Sequence, residues 1–134
     1  MTPAAHRAKA ERIRRTLAKL RPSDYEMCID GAMLAANHYV NMALHVLGIR
    51  PDDRDVIHTE FLDVIDYRRF EVAAKALVEA IEAIEELRAP FVRGAAPDGI
   101  AAGERALQQL ARVEAEALRA RPLAFPLLKY TPEP

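Results

Sequence analysis

The stretch SDYEMCIDGAMLAANHYVNMALHVLG, Ser23–Gly48, decides the fold. Met27, Cys28, Ile29, Met33, Leu34, Tyr39, Val40, Met42, Leu44, Val46 and Leu47 cover most of the circumference of a 3.6-residue helix. A helix this apolar all round is enclosed on several sides. The spacing therefore predicts a central helix, with further burial available in a dimer interface. Ser23 and Glu26 stand three apart and predict a reciprocal N-terminal capping box. Gly48 suits the left-handed residue that closes a helix.

Outward from that stretch, prolines and glycines divide the chain. Towards the N-terminus, Pro3 to Lys19 reads as a helix with Thr2 as its cap, and Ala10, Ile13, Leu17 and Leu20 form one stripe. Pro22 ends it. Towards the C-terminus, Asp52 or Asp53 is expected to cap a helix carrying Val56, Ile57, Phe61, Leu62, Val64 and Ile65, with a bend at Asp66–Arg69. Phe70 to Leu87 reads as one amphipathic helix with Ala73, Ala74, Leu77, Ile81, Ile84 and Leu87 inward. A loop over 90–99 leads to a last helix from Asp98 to Arg119. The expected architecture is all-α: an antiparallel four- to five-helix bundle over 1–121, with an extended C-terminal tail over 122–134.

Composition narrows the function. The chain has 134 residues, 51% hydrophobic and 29% charged, with a formal net charge of −1. One cysteine excludes a disulfide scaffold and a paired-cysteine zinc site. No apolar run of membrane-spanning length occurs and no secretory leader is evident, so a cytoplasmic protein is expected. Charge is uneven. Residues 1–21 hold seven Lys or Arg and one acid, a net +6, and the remainder holds twelve against nineteen, a net −7. Arg12, Arg15 and Lys19 share one face, and Arg7, Arg14 and Arg21 another. This is either an electrostatic footprint for RNA or a basic helix beside acidic partners such as Glu79, Glu82, Glu85 and Glu86. No aromatic precedes Tyr25, so a base-stacking platform is missing from that segment, and no DNA partner is expected.

The polar groups of the central helix are the leading candidates for a site. His38, Asn41 and His45 are spaced three and four apart, beside Asn37. Buried without partners, each such group costs roughly 1–3 kcal/mol. Three arrangements would satisfy them: a buried polar network, a ligand or nucleic-acid groove, or a metal site in which His38, His45 and His58 converge with Glu60. The paired Glu-x-x-His signature of di-iron bundles does not occur, and no cofactor or catalytic residue is expected. Cys28 reads as a structural thiol, and Gly94–Gly99 lacks a phosphate-loop lysine.

Three features in this order, AANHYVNMAL at Ala35–Leu44, His58-Thr59, and LRAPFVR at Leu87–Arg93 before a last Ala-, Glu- and Leu-rich helix, resemble the HEPN family of small helical bundles over residues 5–120. The resemblance implies an antiparallel bundle that pairs into a homodimer. It also implies one of three roles: a ribonuclease toxin, a partner of a small nucleotidyltransferase, or a non-catalytic module that binds RNA or nucleotide. The ribonucleases carry Arg, four to six residues, then His. Arg88 stands at the Arg position, but 93–95 read Arg-Gly-Ala and no histidine follows His58. Arg54 and His58 are one residue too close and fall in another loop. RNA cleavage by general acid–base chemistry needs a group titrating near neutrality. The resemblance therefore implies a non-catalytic member, with Asn37, His38, Asn41, His45, Arg88 and Arg93 facing ligand and Arg7, Arg12, Arg14, Arg15 and Lys19 forming the basic face.

Overall fold

The computed structural model describes residues 1–124, which form five α-helices and no strand. These are α1 (Pro3–Leu17), α2 (Tyr25–Leu47), α3 (Val64–Ala73), α4 (Lys75–Leu87) and α5 (Gly99–Leu118). Short helical turns cover Thr59–Phe61 and Arg88–Val92. The all-α reading holds. Of the expected tail, residues 125–134 lie outside the described residues. Before them, Leu123 packs on the core.

The apolar circumference of α2 makes it the hub: fourteen of its 23 residues are buried. It packs against α1, α5 and α4, and α4 packs against α5. Ile29, Tyr39, Val40, Leu44, Leu77, Ile81, Ile84, Leu110 and Val113 form the centre of the core. α2 and α5 cross closely because Gly103 has no side chain; a Cβ there would lie 3.0 Å from the Tyr25 Cβ. No described helix is long and apolar enough to cross a membrane.

Thr2 caps α1 through the Ala5 N–H, and Gly48 closes α2 at φ 78°, both as expected. The capping box is not formed. Asp24 precedes α2 and its carboxylate instead accepts from the Arg21 N–H, so Ser23 lies outside the helix start. The helix expected from Asp52 is also absent. Residues 51–58 run as an irregular strap, because side chains of α2 take up its backbone hydrogen-bonding groups (below). Asp63, not Asp52 or Asp53, caps the next helix, accepting from the Asp66 N–H. Asp66–Arg69 lies inside α3, which runs on through it without interruption. The chain breaks instead at Ala74 (φ −147°, ψ 53°), which splits the expected Phe70–Leu87 helix into α3 and α4. Nothing in the local sequence explains that break.

Candidate functional site

The polar stripe of α2 fastens the strap. Asn41 reads Val56 twice: its side-chain oxygen accepts from the Val56 N–H at 2.7 Å, and its amide donates to the Val56 carbonyl at 2.8 Å. One turn earlier, the Asn37 amide donates to the Ile57 carbonyl. One turn later, the His45 Nδ1 donates to the Arg50 carbonyl at 3.0 Å. The strap thus runs back along α2, each rung set by the helical repeat. Asn41 and His45 are buried, as a zipper of this kind requires.

At one end of the zipper four ionisable side chains converge. The His45 Nε2 lies 2.8 Å from Asp55 Oδ1, and the His6 Nε2 lies 2.7 Å from the same oxygen. The His6 Nδ1 faces the His38 Nδ1 at 3.0 Å. Asp55 Oδ2 accepts from the amine of Met1 at 3.0 Å. The His45 and His6 side chains are shielded from solvent (0% and 2% exposed), whereas that of Asp55 is 35% exposed. Burial opposes ionisation of Asp55, but its short contacts with His6, His45 and the Met1 amine outweigh it and hold its carboxyl well below the usual carboxylate range. Burial also lowers the pKa values of His6 and His38. The donor atoms of His6, His45 and Asp55 all lie within 4.8 Å of one another, close enough to share an ion.

The structure brings together His38 and His45 from the sequence-derived set, adds His6 and Asp55, and leaves His58 elsewhere. His58 lies beside Glu85, 3.8 Å away, in the wall of a cavity of about 340 Å³ that also meets Glu60, Tyr67 and Glu82. The His38–His45–His58–Glu60 convergence is therefore not formed, because the strap carries His58 away towards α4. Arg88 donates to Asp30 at 3.0 Å and to Glu85 at 3.4 Å. Asp30 is seven residues from Asn37, about 10 Å along the helix, so Arg88 does not join the Asn37–His38 patch. Arg93 is exposed beyond the turn that follows α4. Of the basic face, Arg7 pairs with Glu11 and Arg14 with Glu114 of α5, while Arg12, Arg15 and Lys19 are exposed.

A second feature lies on the same side of α2, beyond the strap. Met27 and Leu34 are 55% and 54% exposed, although they sit on the hub helix. With Ile13 and Leu17 of α1, and Leu20 just after it, they line an apolar groove of about 400 Å³. Thr16 also lines the groove; Arg12, one helical turn before it, and Lys19, just past the end of α1, are both exposed and supply the positive charge near that edge. Across α2, Glu82, Glu85 and Glu86 form an acidic flank, with Arg88 set between Glu85 and Asp30.

His6 escaped the sequence reading because it is isolated in its own segment, and Asp55 stood out only with His58, as a single Asp-x-x-His without a second copy. A usable signal did exist: His45, near the end of α2, needed a partner from the segment that follows Gly48, and that segment offers Asp52, Asp53 and Asp55. Comparison with models of protein families, with curated proteins and with solved structures finds no match for the chain.

Proposed function

We propose that this chain is a non-catalytic, HEPN-like helical interaction module, its helices packed antiparallel, that works as a homodimer through the exposed face of α2. The observation that carries this reading is the pair Met27 and Leu34, left open to water on the most apolar helix of the molecule. Large apolar side chains grouped over a groove mark an interaction site rather than ordinary surface.

Charge selects the occupant. α1 and α4 flank the exposed face of α2 on opposite sides, one basic and the other acidic. A two-fold axis parallel to α2 sets the Arg12–Lys19 rim of one protomer over the Glu82–Glu86 flank of its partner, twice. The same patch then meets itself, as an isologous dimer requires. RNA is a poorer occupant, because its phosphates would meet the acidic flank beside the basic rim. A nucleotidyltransferase would have to present both charges in the same order, which a second copy does by symmetry.

Light scattering on the eluting protein tests this. The expected mass is twice 15.0 kDa at micromolar concentration, falling to 15.0 kDa in Leu34→Glu. A monomeric parent protein, or a Leu34→Glu variant that still pairs, overturns the reading.

A further inference from the structure

We propose that His6, His45 and Asp55 form a binding site for one divalent first-row transition ion of the zinc class, with His38 orienting His6. This goes beyond the pairing above and does not depend on it.

The inference rests on hydrogen-bond accounting. The Arg50 carbonyl can only accept, so the His45 Nδ1 facing it at 3.0 Å carries the proton. A neutral imidazole protonated there has a lone pair on Nε2. That lone pair points at a carboxylate oxygen 2.8 Å away, which is also an acceptor. Two acceptors at that distance need a positive charge between them. A second proton or a metal ion can supply it, in a place where the ring is fully shielded from solvent. A metal ion removes the conflict without charging either ring.

With an ion in place, every partner falls into the correct role. His45 offers Nε2 to the metal while its Nδ1–H donates to the Arg50 carbonyl. His6 offers Nε2 while its Nδ1–H donates to the His38 Nδ1, 3.0 Å away. Metal-bound histidines characteristically donate their other ring N–H to such a neighbour, which fixes the tautomer and strengthens the ligand. Asp55 supplies the anionic oxygen on which both rings converge. Tetrahedral zinc places its ligand atoms ~3.3 Å apart, given metal–ligand distances near 2.0–2.1 Å. The present N···O distances of 2.7 and 2.8 Å therefore need to open by about half an ångström. The Asp55 side chain, 35% exposed, can supply that movement by rotation. Two imidazoles and a carboxylate suit Zn²⁺, Co²⁺ and Fe²⁺ and disfavour Mg²⁺ and Ca²⁺, which seek oxygen-only shells. Three protein donors leave a position for water. The ion would join α1, α2 and the strap.

The probes are Zn²⁺ by calorimetry and Co²⁺ by visible absorption, using chelator-treated protein without a histidine tag. The expected result is one saturable equivalent of Zn²⁺, and Co²⁺ ligand-field bands of tetrahedral intensity. His6→Gln and Asp55→Asn should each weaken Zn²⁺ at least 100-fold and abolish the Co²⁺ bands. His38→Phe should weaken Zn²⁺ by roughly 10–100-fold yet keep the Co²⁺ band positions, as expected of a residue that acts through a ligand. His58→Gln should change nothing. Should the variants fail to fold, ¹⁵N spectra of the parent protein decide: Zn²⁺ should move the Nε2 resonances of His6 and His45 and leave those of His58 in place. No saturable equivalent, equal loss in His58→Gln, unmoved His6 and His45 resonances, or full binding in Asp55→Asn would each overturn the site. The dimer measurement is separate, so either idea can fail alone.

Discussion

Asn41 shows how one side chain can replace a run of backbone structure. It completes both hydrogen-bonding groups of Val56, which is itself buried. Asn41→Leu removes those partners and leaves a buried N–H and C=O unpaired, at roughly 1–3 kcal/mol each. The expected loss in urea unfolding is therefore ~2–6 kcal/mol; a loss under about 1 kcal/mol would mean that water replaces the asparagine. A second residue-scale prediction concerns Tyr67, whose hydroxyl donates to Glu82. The hydrogen bond to this carboxylate, helped by burial, pushes its pKa up to about 12. A folded pKa above the unfolded value near 10 means that the contribution of Tyr67 to stability is intact below pH ~10 and is lost as pH rises towards 12. In an alkaline absorbance titration, Glu82→Gln should shift one phenol down by a unit or more, and an unshifted curve would sever the link. At this scale the sequence was half legible. His38, Asn41 and His45 announce a shared face by spacing alone. His6 and Asp55 lie in distant segments, Asp55 as one of three nearby aspartates, and only the fold pairs them.

Among the helices, legibility followed length. α1, α2 and α5 show an apolar repeat over several turns, and their limits lie within about two residues of those expected. Residues 52–65 misled because Val56, Ile57, Phe61 and Leu62 imitate a helical stripe. In the strap and the turn that follows it they do not share a face: Val56 and Leu62 are buried, while Ile57 and Phe61 are 71% and 64% exposed. The decisive force there is tertiary, since α2 offers the strap partners that a local helix would have supplied from within. Gly103 provides a prediction at this scale. Alanine in mid-helix ordinarily gains about 1 kcal/mol over glycine. Here its Cβ would stand 3.0 Å from the Tyr25 Cβ and 3.3 Å from the Tyr25 Cα, atoms that move only if α2 moves. Overpacking of this kind costs about 1–3 kcal/mol. Gly103→Ala should therefore lower the thermal midpoint despite its better propensity. A higher midpoint would show that α2 and α5 part without cost.

Over the whole molecule, residues 1–21 carry +6 and the remainder −7, and the two sets meet at Arg14–Glu114 and Arg21–Asp24 while Arg12, Arg15 and Lys19 stay exposed. The sequence displayed that imbalance but not its geometry, since the positions of α1 and α4 around α2 depend on the packing. On the proposed pairing, two distinct forces hold the dimer, and salt separates them. The apolar contact of Met27 and Leu34 is insensitive to moderate salt. The rim-to-flank attraction acts between exposed charges and is screened over about 8 Å at physiological ionic strength, and over about 3 Å at 1 M. Exposed ion pairs contribute roughly 0.2–1 kcal/mol each, so losing several raises the dimer dissociation constant by about tenfold. Sedimentation at low and at 1 M salt should show that weakening without complete dissociation. Arg12→Glu with Lys19→Glu should give a dimer that is weak at low salt and that salt now strengthens, because like charges then face each other. A charge-reversed variant that pairs as tightly as the parent protein at low salt would place α1 outside the interface and remove the two-fold arrangement with it.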